Sequence, residues 1–269
     1  MNVDSSSLRN RLGVLHVTGL LFLIGVILSL PSLRGSGRHL DYLGNLGSLV
    51  SRFFPPDWSV SGRVLAALGE TVQIAFLATF FAILLSIPLA LAGAQNIAPR
   101  WLSICARMAM NVIRTIPSLI WALIAVAIVG PNSLAGVIAL TFYSMGYLGK
   151  FFSDAFESAD PDVAQALRAM GAGVIQSFQH GMWPFAKPLV WSHSLWMLEY
   201  NIRSAAIIGY VGAGGVGVQL YSYQEYYQWD RFCTVLIYIL ALVVILDLAG
   251  ERIRASITKR LVRPLGTTV

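Results

Sequence analysis

Residues 12–33, 71–99 and 115–149 carry no Asp, Glu, Lys or Arg. Runs of that length constrain the chain more than any motif does. A helix of about 20 apolar residues crosses the hydrocarbon core of a bilayer, and a small soluble fold has nowhere to hide several of them. Composition agrees, with 56% hydrophobic and only 12% charged residues, where a soluble domain carries about a quarter charged. So few charges cannot cover a soluble surface. Disordered, collagen-like and disulfide-scaffold classes fail on the same numbers. The fold class this implies is an all-α membrane protein with about six transmembrane helices.

The first run, 12–33, follows Arg9 and Arg11 and begins as a signal peptide would. Ser29-Leu30-Pro31-Ser32 is a poor cleavage site, so the run reads as a retained span. Residues 34–68 are charged and hold Pro55-Pro56. Leu43, Leu46, Leu49, Val50, Phe53 and Phe54 recur there at helical spacing. That pattern suits a short amphipathic helix on the outer membrane surface, or a solvated loop. Residues 71–99 form the next span, with a kink expected at Pro88. Gly130-Pro131-Asn132-Ser133 is turn chemistry and divides the following run into spans over about 108–129 and 134–149. A polar loop over 150–187 comes next, then a span over about 189–211, a glycine-rich segment over 209–217 and a last span over about 232–250. The organisation predicted is therefore 1–68, a core over 69–250 and a basic tail over 251–269.

With both termini inside, the inner segments carry Arg9, Arg11, Arg100, Arg107, Lys150, Arg168, Lys187 and the tail cations Arg252, Arg254, Lys259, Arg260 and Arg263. The outer segments carry only Arg34, Arg38, Arg52, Arg63 and Arg231. The positive-inside rule therefore places 150–187 in the cytoplasm and 34–68 outside. These cations are scattered, so the net charge of +6 sets orientation rather than nucleic-acid binding. Cys105 and Cys233 form neither a disulfide framework nor a metal motif. His180 and His193 lack metal-ligand company, and no metal site is expected.

Ionisable residues within spans are expensive and point to function. Glu199 and Arg203, four apart, share a helix face and are expected to form an intrahelical ion pair. Arg203, if incompletely neutralised, would line a pathway. Arg114 either snorkels to lipid phosphates or attracts an anion inwards. Asp247, near the basic tail, is expected to pair at the interface. Gly212, Gly214 and Gly217 fit GxGxxG, but a dinucleotide site needs a soluble βαβ unit. Glycine-rich backbone at membrane depth suits a pore-lining turn whose amides meet anions, or else a flexible outer loop. Tyr221, Tyr223, Tyr226, Tyr227 and Trp229 then form an interfacial belt or a contact for an outer partner.

The cytoplasmic loop is patterned. Pro161-Asp162 starts a helix, Gly171 permits a left-handed turn at its end, and a second helical stretch over 173–182 stops at Trp183-Pro184. Gln165-Ala166-Leu167, Gly171 and Trp183-Pro184 resemble the EAA loop of ABC importer permeases. Gln165 stands in place of that motif's Glu, Leu167 in place of its second Ala, and Gly181 and Trp183 in place of its Ile and Leu. Arg114-Thr115-Ile116-Pro117-Ser118-Leu119-Ile120-Trp121-Ala122-Leu123 and Val211-Gly212-Ala213-Gly214-Gly215-Val216-Gly217 resemble segments of phosphonate-type permeases. Asn201-Ile202-Arg203 and Ile207-Ile208-Gly209 stand in the same order. The resemblance covers about residues 65–250.

It implies a type I (MetI-like) permease fold in a bacterial inner membrane, working as a homodimer. Two cytoplasmic ATPase subunits would grip Gln165, Ala166, Leu167, Ala169, Gly171 and Pro184. A periplasmic binding protein would deliver phosphonate, phosphite or hypophosphite. The translocation pathway would include Arg114, Pro117, Arg203, Gly212, Gly214, Gly215 and Gly217. No GxxxxGK[ST] occurs, so ATP and Mg belong on the partner ATPase, with no cofactor and no catalysis on this chain. A secondary transporter working through Glu199 and Asp247 is the competing class; it would transport without an ATPase, and no inverted repeat supports it. An intramembrane protease would need a serine elbow or HExxH, and neither occurs.

Overall fold

The computed structural model describes residues 5–33 and 41–259; Arg34, Arg38, Arg260 and Arg263 lie outside them. The described chain is 87% helical with no strand. It divides into two compact units, residues 1–50 and 51–269. The first holds α1 (Ser5–Ser29) and most of α2 (Tyr42–Phe53). From His16 to Ser32 every side chain is exposed, and most are apolar. Helix α2 is the expected amphipathic helix, with Leu43, Leu46 and Val50 exposed along one stripe.

The second unit runs through α3 (Ser61–Gly93), α4 (Arg100–Thr115), α5 (Ser118–Val129), α6 (Ser133–Glu157), α7 (Pro161–Ala169), α8 (Val174–Ser177), α9 (Trp183–Ile208), α10 (Val216–Glu225) and α11 (Trp229–Lys259). It takes in residues 51–68 as well, since Val60, Val64 and Leu68 are buried against Val216, Leu220 and Val235. Three stretches are long and apolar enough to cross a membrane: Trp58–Gly93, Ser133–Glu157 and Trp229–Ser256. Two further candidates are broken, α4 with α5 at 87°, and Val174–Val211 with Val216–Glu225 at 43°.

Three boundaries differ from expectation. The span expected over 108–129 is not continuous. Pro117 has no N–H and disfavours helical geometry in the residue before it, so Ile116 turns extended (ψ 118°) and ends α4. The span expected over 134–149 is longer, because Asn132 caps α6 through the Ala135 N–H at 3.1 Å and Lys150 pairs along the helix with Asp154 at 2.6 Å. Trp183-Pro184 begins α9 instead of ending the preceding stretch, which reaches it through a wide π turn over Phe178–Met182. Proline fits a first helical turn, where its missing N–H has no partner to lose.

Small residues bring α3 and α6 together: Ala78 shares one buried cluster with Ala135 and Ala139, and Ala82 and Ala90 share another with Leu148 and Phe152. Such residues let helix backbones approach in a bilayer. A buried polar chain ties three helices at mid-span. Ser144 Oγ donates to Asn201 Oδ1 at 2.8 Å, and Asn201 Nδ2 donates to Thr79 Oγ1 at 2.9 Å. At the other end of α3, Ser103 Oγ and Arg107 Nε donate to the Gly93 carbonyl at 2.7 and 2.8 Å. Arg107 also pairs with Glu157 at 2.5 Å, and Glu157 accepts the Gln95 N–H. Helix-terminal carbonyls and amides that lack an intrahelical partner are thereby satisfied.

Before α3, Asp57 caps a 3-10 turn through the Ser59 N–H and pairs with Arg231 at 2.9 Å. The bonds from Ser59 and the Arg231 guanidinium hold its carboxyl down to about 2 from the ordinary 3.8. A depressed carboxyl pKa stabilises the fold above the unfolded value and loses that effect as pH falls through the folded one. Asp57→Asn should therefore lower Tm by a few degrees at neutral pH, and the difference from the parent should shrink between pH 4 and 2. Thermal melts in detergent across that range check it.

Candidate functional site

Helices α7 and α8 form a hairpin in which little is hidden. Asp160 caps α7 through the Asp162 N–H at 2.9 Å, Pro161 opens the helix, and Ala164 is its buried residue. Ser177 Oγ donates to the Ala164 carbonyl at 2.8 Å, and a Cβ at Gly181 would stand 3.1 Å from Ala164 Cα. The small residues thus seat the hairpin on the start of α9. Gly171 turns the chain at φ +91°, as its position at the end of α7 predicts, and nothing would crowd a Cβ there. Gln165, Ala166 and Ala169 are exposed, Leu167 is half-buried, and Pro184 lies in the first turn of α9. Met170, Val174 and Ile175 are 75%, 64% and 72% exposed. An exposed apolar patch of this kind marks a contact surface for a protein, a membrane or a ligand.

The glycine segment is packed. Gly212, Gly214 and Gly215 all have positive φ, between +73° and +86°, and Ala213 to Gly217 are buried. The Val216 N–H donates to Thr71 Oγ1 at 2.8 Å. A Cβ at Gly215 would lie 2.6 Å from that same oxygen, and one at Gly214 would lie 2.8 Å from Ser133 Cα. Gly209 and Gly217 meet backbone to backbone. The segment is therefore a close seam between α3, α6 and α9, and only Gly allows the backbone this near. Glu70, whose carboxylate accepts the Ser133 hydroxyl beside Gly214, belongs to the same seam. Sequence reading missed it, because Glu70 stands just ahead of the charge-free run that begins at Thr71.

The charged residues pair differently from expectation. Glu199 and Arg203 do not form an intrahelical pair. Arg203 reaches Asp247 at 3.1 Å, and Glu199 is held by Arg254, so each pair joins α9 to α11. The antiparallel crossing of these helices offers each side chain a partner straight across, which outcompetes a neighbour one turn along the same helix. Gly250 lies beneath Glu199, where a Cβ would collide with the carboxylate. Beside Arg203, α9, α10 and α11 enclose an apolar groove of about 930 Å³ that includes Ile207, Leu220 and Leu240.

Arg114 stands in the last turn of α4, half-buried, and its backbone N lies 3.2 Å from where a Cβ of Gly146 would be. Gly146 is eleven residues from the end of α6 at Glu157, roughly 16 Å at 1.5 Å per residue. Trp121 Nε1, beyond the Pro117 break, donates to the Ile113 carbonyl, and its ring stacks on Phe142 at 5.3 Å. Arg114 and Pro117 therefore share one elbow within the bundle. His193 stacks on Phe151 at 4.7 Å. Among the described residues, no three His, Cys, Asp or Glu side chains gather closely enough to hold a metal ion.

Apolar helices of spanning length, two of them broken, packed around buried polar links and fronted by an exposed hairpin, define a multi-pass transport permease. The chain belongs to the family of binding-protein-dependent transport system inner membrane components, whose family model matches residues 82–259. It is 34% identical over 209 residues to the phosphite transport system permease protein PtxC of Stutzerimonas stutzeri, covering 77% of this chain and 76% of that one. It is also 34% identical over 219 residues to the phosphate-import permease protein PhnE of Mycolicibacterium smegmatis, covering 80% of this chain and 40% of that longer protein. In fold it resembles the inward-facing MetNI methionine ABC transporter, with a TM-score of 0.66 and 24% identity over 75% of this chain and 99% of the other. The fold is thus the MetI type, and the chain is an inner-membrane permease subunit of an ABC importer.

Proposed function

We propose that this permease carries a small phosphorus oxyanion, such as phosphite, phosphonate or hypophosphite. Two copies would form the pathway, a periplasmic binding protein would supply the anion, and two cytoplasmic ATPase subunits would drive it with ATP and Mg. Relatives that share a third of its residues over three quarters of its length serve phosphite and phosphate import. The geometry that carries the importer reading is the α7–α8 hairpin, whose exposed Met170, Val174 and Ile175 need a partner to cover them. In this scheme Gln165, Ala166, Leu167, Ala169, Gly171 and Pro184 frame the ATPase contact, and both termini lie in the cytoplasm.

Along the path, Arg114 supplies the attracting charge at the Pro117 elbow, since no carboxylate among the described residues pairs with it. Its fixed donor fork suits an oxyanion. Arg203 is partly neutralised by Asp247, so its part is to join α9 to α11 beside the path. Gly212, Gly214, Gly215 and Gly217 form the seam whose opening and closing would gate the outer side. Here the embedded carboxylates Glu199 and Asp247 are structural joints between α9 and α11, and no ion gradient is needed.

Reconstitution with the ATPase and binding protein encoded beside this chain tests the reading. Uptake of phosphite or a phosphonate should require both partners and ATP; uptake driven by an ion gradient alone would overturn it. Gly171→Asp should lower ATP-driven uptake at least tenfold while the protein still inserts. Asp tolerates a left-handed backbone better than most residues, and the site is open, so its charge would act on the docking surface rather than on the fold. Coupled uptake at the parent rate would show that Gly171 lies outside the contact.

A further inference from the structure

At the middle of the second unit, α6 and α9 share a ladder of aromatic rings that the scheme above does not use. Helix α6 presents Tyr143, Tyr147 and Phe151, one turn apart, and α9 presents His193, Trp196 and Tyr200. Tyr143 and Tyr200 stack at 5.4 Å with their hydroxyls 2.7 Å apart. Tyr147 lies 5.0 Å from Tyr143, and Trp196 lies 5.9 Å from Tyr200. Tyr143 is ten residues from one end of α6 and fourteen from the other, about 15 and 21 Å along the axis. The pair adjoins the Thr79–Asn201–Ser144 link, so it stands on a fixed wall.

This face is unlike the lipid-facing surface of the same protein. Helix α3 exposes Phe76, Leu77, Phe80, Phe81, Leu84 and Leu85, with no polar group among them. Tyrosine normally sits at the membrane interface, where its hydroxyl stays wet. Tyr143 is buried, Tyr147 and Tyr200 are half-buried, and Trp196 beside them is 38% exposed; hydroxyls at this depth belong against water or protein rather than hydrocarbon. A chain of hydroxyls always holds one more proton than it has internal hydrogen bonds, so one O–H remains to be donated outwards. The edges of the rings carry partial positive charge.

We propose that the Tyr143–Tyr200 pair, with Tyr147, is a mid-path resting site for the transported oxyanion, each copy of the chain contributing one half. The assignment rests on the reading of the cargo as a phosphorus oxyanion. Neutral donors suit this task, because a transport site must bind strongly enough to admit an anion and weakly enough to release it.

Two measurements test the site. The first places Tyr200→Cys in a Cys105→Ser/Cys233→Ser chain, assembled with its ATPase in membrane vesicles. A charged thiosulfonate should modify the new thiol at least ten times faster than one placed by Phe80→Cys, and phosphite should slow that reaction. The second is the Tyr143→Phe/Tyr200→Phe variant. Its complex should still assemble, while the KM for phosphite uptake rises about tenfold or more, the effect of losing a hydrogen bond to a charged group. A parent complex that transports phosphite, combined with an inert Tyr200→Cys thiol or an unchanged KM in the double variant, would overturn this proposal alone. A parent complex that moves no phosphorus oxyanion would overturn the cargo reading, and this site with it.

Discussion

Gly217→Ala should prevent the permease from accumulating in folded form. The added methyl would strike the Ala206 carbonyl oxygen and stand 2.7 Å from Gly209 Cα. Both obstacles are backbone atoms, so no rotamer change relieves the clash. Gly209 is equally confined from the other side, where a Cβ would lie 2.6 Å from Gly217 Cα and 2.7 Å from the Gly214 carbonyl oxygen. Overpacking a tight core costs about 1–3 kcal/mol when side chains can yield. Here α9 and α10 would have to part, opening the seam that also holds Thr71 and Ser133. Against a total stability of roughly 5–15 kcal/mol, that loss should show as a Tm more than 10 °C lower or as protein cleared from the membrane. Gly69→Ala is the control, since a Cβ there meets nothing. Equal Tm values for the two variants, measured in detergent, would refute the seam.

Arg254→Ala should be the most damaging single change among the charged residues. The Glu199 side chain is only 10% exposed and is held by Arg254. Removing one partner of a buried pair leaves an uncompensated charge and costs about 3–5 kcal/mol. The neighbouring Arg203–Asp247 pair is 41% and 48% exposed, so breaking it by Asp247→Asn should cost less than Arg254→Ala. The double variant Glu199→Gln/Arg254→Ala should recover much of the loss, because no bare carboxylate remains. Tm values for the four proteins give the ranking directly. If Arg254→Ala and Asp247→Asn melt alike, burial does not set the strength of these joints.

Individual residues show how far the sequence could be read. The runs over 71–99 and 115–149 announced helices in a membrane, because hydrocarbon admits only apolar side chains and internally bonded backbone. Asn132 and the turn around it announced the start of α6, and Pro161, Asp162 and Gly171 marked both ends of α7, because caps and left-handed turns are local chemistry. Pro117 was visible as a proline, yet the 87° elbow was not. Proline ends a helix locally, while the direction of the next one depends on what it packs against. The tyrosine ladder carried a signal, since Tyr143, Tyr147 and Phe151 recur at four-residue spacing. Its partners on α9 lie some fifty residues away and only packing brings them together.

From its sequence alone, this protein was determined to be a helical membrane protein with a patterned hairpin, because period, charge and capping act over a few residues, and its resemblance to phosphonate-type permeases supplied the class. Only the tertiary structure decided that Glu199 joins Arg254 and Arg203 joins Asp247, that the glycine segment is a closed seam against Thr71 and Ser133, and that two tyrosine hydroxyls meet at mid-span. Each of these depends on which helices cross and at what height, and that is settled by burying small faces across the whole bundle, not by neighbours along the chain.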